Sequence, residues 1–471
     1  MERPSLSELA TPPRESTSRR VWQLAWPNII SNLLFTSVGL MHIKIVAGIS
    51  TSAVAAVTTG HRVFFLTQAI LMGVSVASTA MIARAWGADD KHQAEVACWT
   101  ALLAAIALAA ALSLPALLVP ELVASLFGLD EETTRLAAGF IFWLGVFSIS
   151  SAISMSLQSA LRAIGDVITP LWFLLFSSVF NVLLGYCLAY GVGPLPKMGV
   201  AGLALGGSFA ALMVTSVFVA MWWRGTFALK PVKNKAIDWG VARQLAAIGS
   251  PAVIEQAVVQ LSFLLFFGII GQYGTVPFAA YGIGISLISF PIVVGFGFGI
   301  AAATLVGQRL GAGDPDGAVA VGWRSLRMAV GAMSGLSLIL AWNAESLASF
   351  MINDPDVVKH TVIFIYMIAA AQPMMACEVA LAGSLRGAGD TRFPLLATFC
   401  GLLLGRLLPA WLFSSLGMSV YWIFGVMLLD YSLKASMLIY RYRSKKWLTV
   451  VINTSSNAKF GAALDSDKKN T

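Results

Sequence analysis

Three carboxylates interrupt long apolar runs of this chain: Glu255, Glu378 and Asp430. A carboxyl in apolar surroundings can hold and release a proton near neutral pH, and the same oxygens could instead hold Na+. Glu255 is the first candidate. It lies about ten residues, or ~15 Å, into its run, close to the middle of a hydrocarbon layer ~30 Å thick. Ser262 shares its helical face at i+7, and Gln256 and Gln260 form the adjoining stripe. The structural alternative is a Glu bonded to backbone at the turn that Pro251 breaks. Glu378 is the second candidate, nearer the basic end of its run. Asp430 reads as structural, because Lys434 stands at i+4 and Arg406 could reach it from the preceding run.

A histidine is the fourth titratable group. Asn28, Ser31, Asn32, Thr36, Gly39 and His42 fall within about 140° of arc at ~100° per residue. Such a stripe faces a cavity or a neighbouring helix, so Asn32, Thr36, Gln256 and Gln260 are candidate substrate-cavity residues, together with Asn181 of the fifth run. Imidazole titrates in the physiological range, and His42 could take a proton; bonding to a helix neighbour is the bland alternative. Lys44 points elsewhere and can snorkel to the interface. His61 and Arg62, some ten residues into the next run, make this half's interior basic. No phosphate-binding loop follows a strand, no metal-ligand cluster appears, and no nucleophile has a base at motif spacing. Neither ATP-driven transport nor enzymology is expected, and no cofactor beyond H+ or Na+ as coupling ion.

The elements that carry these groups follow from composition. The 471 residues are 58% hydrophobic and 11% charged, too apolar for an ordinary soluble globule. Apolar runs of roughly 20 to 28 residues recur along the chain, each long enough to span a bilayer. We count twelve, near 21–46, 52–82, 93–119, 136–158, 168–190, 197–223, 244–270, 276–306, 318–342, 359–383, 393–415 and 417–440. Cys98, Cys187, Cys377 and Cys400 sit inside these runs without ligand spacing and read as small buried hydrophobes. The net charge of +8 is not a nucleic-acid signal, because it is distributed as a membrane protein's loops are. One set of alternate connections, with both tails, holds 24 Lys and Arg, against Arg135, Lys197 and Lys359 in the other set. The basic set is expected in the cytoplasm, and both termini with it.

The chain also repeats itself. Leu161-Arg162-Ala163-Ile164-Gly165-Asp166 returns 224 residues later as Leu385-Arg386-Gly387-Ala388-Gly389-Asp390. At the same offset Pro27 maps onto Pro251, Gly60 onto Gly284, Gly73 onto Gly297, and Gly87-Ala88 onto Gly311-Ala312. Six spans per copy is even, so the copies enter the membrane in the same direction. The expected organisation is a disordered tail (1–20), a first lobe (21–223), a basic linker (224–243), a second lobe (244–441) and a basic, polar tail (442–471). The fold class is all-α integral membrane, with two pseudo-symmetric six-helix bundles.

With Leu24-Ala25-Trp26-Pro27, Met72-Gly73 to Gly87-Ala88, Thr304 to Asp314 and Gly383 to Arg392 in order, the chain resembles the multidrug and toxic compound extrusion (MATE) family over roughly residues 21–446. The resemblance implies a V-shaped pair of lobes that exports substrates by alternating access in exchange for H+ or Na+. It adds weight to Glu255 and Glu378, since the family uses acids in the seventh and tenth spans. Two departures stand out. The family's first-span Asp is replaced here by Met41-His42-Ile43, and the acid four residues after the fifth-span Asn, here Asn181, is Gly185. If the first lobe keeps a proton role, His42 must supply it. We therefore expect a monomeric, multi-pass plasma-membrane exporter of amphipathic small molecules, H+-coupled in preference to Na+. The competing readings are a flippase or exporter of an anionic or lipid-linked metabolite, and a membrane scaffold or receptor that no longer transports.

Overall fold

A computed structural model describes residues 17–232 and 238–450. Most of both expected tails, and Lys233 and Lys235 of the linker, lie outside the described residues. The first half runs α1 (Thr17–Ala47), α2 (Thr51–Gly87), α3 (Lys91–Leu118), α4 (Pro120–Ser125), α5 (Glu131–Val146), α6 (Ser148–Ile164), α7 (Ile168–Tyr190) and α8 (Gly199–Trp223). The second runs α9 (Trp239–Gly271), α10 (Thr275–Gly311), α11 (Pro315–Trp342), α12 (Ala344–Met351), α13 (Pro355–Gly387), α14 (Arg392–Cys400), α15 (Leu408–Ser415) and α16 (Val420–Arg443). A π-helical stretch, Gly401–Leu407, joins α14 to α15 as one span. Among the described residues eleven helices are long and apolar enough to cross a membrane, and α5 with α6, taken as one span, makes a twelfth.

Two boundaries differ from the sequence reading. Residues 17–20, expected in the tail, form the first turn of α1. The fourth span, expected to be continuous, bends by 50° at Phe147. A serine-rich stretch lies there. Ser150 Oγ donates to the Phe147 carbonyl at 2.7 Å, and Thr215 Oγ1 donates to the Ser150 carbonyl at 3.3 Å. Side chains thus take carbonyls at the break, which makes a bend tolerable without proline. The described start of the linker is docked on the first half: Leu229 is buried and its carbonyl accepts from Trp222 Nε1 at 3.0 Å.

The repeat is visible in the packing, and it crosses between the halves. Val21 and Leu24, at the start of α1, lie in the core of the second half with Phe298 and Leu305. Leu245 and Ile248, their counterparts at the start of α9, lie in the core of the first half with Phe218 and Trp222. Further along, α2 and α10 touch at their basic ends. A Cβ on Gly87 would stand 2.0 Å from the Gln308 carbonyl oxygen, and one on Gly311 would stand 2.0 Å from that of Arg84. Only glycine permits this approach. Beside it Gln308 Nε2 donates to the Ala163 carbonyl at 2.8 Å and Thr304 Oγ1 to that of Arg162 at 3.2 Å. The halves are closed against each other at the end rich in Lys and Arg.

Candidate functional site

In the second half every candidate carboxylate meets a cation. Glu255, on α9 just past Pro251, is buried. Its Oε1 accepts from Arg386 Nη2 at 2.6 Å and from Thr398 Oγ1 at 3.0 Å. The partners are therefore side chains of α13 and α14, and not the backbone beside Pro251. Arg386 comes from the repeated motif and stands in the last turn of α13.

Glu378, Lys434, Asp430 and Arg406 form one line. Lys434 Nζ lies 3.3 Å from Glu378 Oε1 and 3.2 Å from Asp430 Oδ1, and Arg406 Nη2 lies 2.5 Å from Asp430 Oδ2. Sequence placed Glu378 in a separate role from the other three. The structure brings all four together. Asp430 is fully buried, Arg406 and Lys434 nearly so, and only Glu378 keeps appreciable exposure, at 23% of its side chain. The Arg406 guanidinium is covered by the rings of Phe263, Phe266 and Tyr431 at 5.4–5.6 Å, which suits a weakly hydrated planar cation.

The backbone explains how so many charges fit. A Cβ on Gly401 would sit 2.4 Å from Lys434 Cγ and 2.6 Å from Asp430 Oδ1, and one on Gly405 would sit 2.7 Å from Asp430 Cα. Between these glycines the helix widens into the π-helical stretch that carries Arg406. Single π turns inside α-helices are rare and recur at functional sites.

The first half has a different site. His42 Nε2 lies 2.6 Å from Asn181 Oδ1, and His42 Nδ1 lies 3.3 Å from His61 Nε2. The two imidazoles stack with centroids 5.4 Å apart, and His61 meets the edge of Phe140. His42 thus joins α1 to α2 and α7. A Cβ on Gly185 would stand 2.9 Å from Leu203 Cδ1, where α7 packs on α8.

The rest of the polar stripe does not join this trio. Asn28 and Ser31 bond back to their own helix, and Thr36, which is exposed, donates to the Asn32 carbonyl. Asn32 Nδ2 is buried without a hydrogen-bond partner. Gln256 is half-buried, 3.7 Å from Met72 Sδ, and Gln260 is half-buried. Lys44 and Arg62 are exposed.

The two copies of the repeated motif have parted in role. Asp166 Oδ1 accepts from Thr169 N and Asp390 Oδ1 from Phe393 N, so both aspartates hold the turn into the next helix. Asp390 Oδ2 also pairs with Arg441 at 2.8 Å. Arg386 holds Glu255, but the residue matching Glu255 in the first half is Ser31, and Arg162 makes no ion pair among the described residues. Thr398 and the bridge from Lys434 to Glu378 escaped the sequence reading, which took His61 only as part of a basic interior and not as the partner of His42. The one available signal was this asymmetry, an acid at 255 and a serine at 31 before otherwise matching arginines.

A family model, MatE, matches residues 27–187 and again 251–412, two stretches whose starts are 224 apart, the repeat offset. A probable multidrug resistance protein NorM of Thermotoga maritima is 25% identical, over 93% of this chain and 94% of its own length. A FAD transporter of Shewanella oneidensis is 24% identical, over 82% and 86%. The fold is similar to that of a MOP superfamily transporter from Pyrococcus furiosus, with a TM-score of 0.86 at 17% identity, covering 93% of this chain and 98% of that one. An outward-facing multidrug resistance MATE family transporter matches with a TM-score of 0.85, also at 17% identity and covering 93% and 98%. With twelve apolar spans in two matching halves, each half matched by the same model, the chain belongs to the MatE family of membrane efflux transporters.

Proposed function

We propose that this chain exports amphipathic small molecules by antiport against a cation, H+ in preference to Na+, through alternating access of its two halves. It works in the plasma membrane with both termini in the cytoplasm, so the arrangement described above is the one closed to the cytoplasm. The observation that carries the reading is Glu255 with Arg386 and Thr398. Ionised, the carboxylate ties α9 to α13 and α14. Protonated, it loses its charge and loosens its hold on the guanidinium. Because α9 begins inside the core of the other half, a change at Glu255 bears on how the halves sit together. A relative named as a probable multidrug resistance protein agrees with this reading.

The test is efflux from proteoliposomes under an imposed pH gradient or an imposed Na+ gradient. The pH gradient should drive export. Glu255→Gln, which keeps an acceptor for Arg386 but cannot titrate, should lower proton-driven export by at least tenfold while substrate still binds. Wild-type rates in Glu255→Gln would move coupling elsewhere. A second reading, export of an anionic metabolite, is favoured by the first half, whose candidate site pairs His42 with His61 and Asn181 and holds no carboxylate in that trio. A relative named as a FAD transporter points the same way. In the same vesicles, preference for an anionic over a cationic dye would favour it.

A further inference from the structure

We propose that the Lys434 ammonium is a resident cation, held where a free Na+ would sit between Glu378 and Asp430, and that it excludes Na+ from this cluster. The inference deepens the antiport reading and rests on it.

A hard monovalent cation in a protein interior needs several oxygens converging on one point. In this cluster the converging oxygens are Glu378 Oε1 and Asp430 Oδ1, and Lys434 Nζ lies 3.3 Å and 3.2 Å from them. The remaining Asp430 oxygen is committed to Arg406. The lysine stem is held as firmly as its head. Its Cγ lies 2.4 Å from where a Cβ on Gly401 would be, and its Nζ stands 5.2 Å from the centre of the Tyr431 ring. Na+ could enter only by driving a buried ammonium from both of its carboxylates.

A proton needs no cavity, only one carboxylate lone pair. Glu378 supplies it. Its Oε1 is the oxygen turned to Lys434, and its side chain is the one in the cluster with appreciable exposure. The charged groups facing Glu378 are Lys434 and Asp430 from α16 and Glu255 from α9, and those facing Lys434 include Arg406 and the Tyr431 hydroxyl. Protonation at Glu378 Oε2 leaves Lys434 paired with Asp430, so the cluster survives the step. Lys434 is thus a specificity-determining residue for the coupling ion.

The experiment reads binding and not transport. Full-length protein in nanodiscs at alkaline pH is tested for saturable binding of radiolabelled Na+ and for a shift in thermal unfolding in NaCl against choline chloride. The wild type should show neither. Lys434→Met, which keeps the stem and removes the charge, should bind about one Na+ per chain and gain about 2–4 °C in NaCl. Lys434→Arg should behave as wild type. Saturable Na+ binding by the wild type overturns the proposal whether or not any variant folds. So does a folded Lys434→Met, or the milder Lys434→Gln, that binds no Na+. Failure of the wild type to export anything in proteoliposomes would instead sink the antiport reading and leave these binding results standing.

Discussion

Asp430 is fully buried, and its two oxygens are shared between Arg406 and Lys434. Removing one partner of a buried pair leaves a charge without compensation, which costs about 3–5 kcal/mol. Arg406→Met should therefore lose about that much stability in denaturation of the purified protein, and Arg406→Met with Asp430→Leu should recover most of it. Equal loss in the single and double variants would show that the guanidinium matters for its contacts with Phe263, Phe266 and Tyr431 instead. This group was partly legible in sequence. Lys434 and Asp430 are one helical turn apart, and Arg406 stands on the preceding span, so spacing alone joined them. Glu255 with Arg386, and Lys434 with Glu378, were not legible as pairs. Each joins helices distant in the chain, and contacts across helices leave no spacing to read. His42 and Asn181 were both chosen from sequence, but their meeting, and the part His61 plays in it, required the packing of α1 against α2 and α7.

The π-helical stretch shows how an element can be shaped for the charges it carries. Gly401 faces Lys434 and Asp430 with no room for a methyl group, whereas Gly425, on α16, has open space around it. Gly401→Ala should push α16 outward and cost about 1–3 kcal/mol. Gly425→Ala should be neutral or stabilise by up to about 1 kcal/mol, since alanine is the better helix former. Thermal unfolding of the two variants checks both, and equal behaviour would mean that the stretch yields easily. Span positions could be read from apolar runs because the bilayer sets their length. The bend at Phe147 and the widening at Gly401 could not. The first has no proline at the break and relies on Thr215 of α8 to take a carbonyl; the second has Pro409 just beyond it, which signals a break in helical bonding but not a widened turn.

For the molecule as a whole, the 224-residue offset foretold the packing closely: Val21 and Leu245, Leu24 and Ile248, and Gly87 and Gly311 occupy matching places. Charge asymmetry gives orientation. Tags at Thr471 and within residues 233–237 should resist external protease in intact cells, and cleavage of either from outside would invert the assignment. What the sequence did not reveal was that the halves exchange their opening turns. That exchange has a consequence for biogenesis. When α8 leaves the ribosome, the first half still lacks Leu245 and Ile248, and the start of α1 lacks Phe298 and Leu305 to rest on. The first bundle is not filled until just over half the chain has been made, and the start of α1 finds its seat only when α10 follows. The nascent protein must wait in the membrane with two unfilled apolar seats, exposed to misassembly and to quality-control proteases. A message truncated after α8 leaves a fragment with all six spans of its half but a gap in its core.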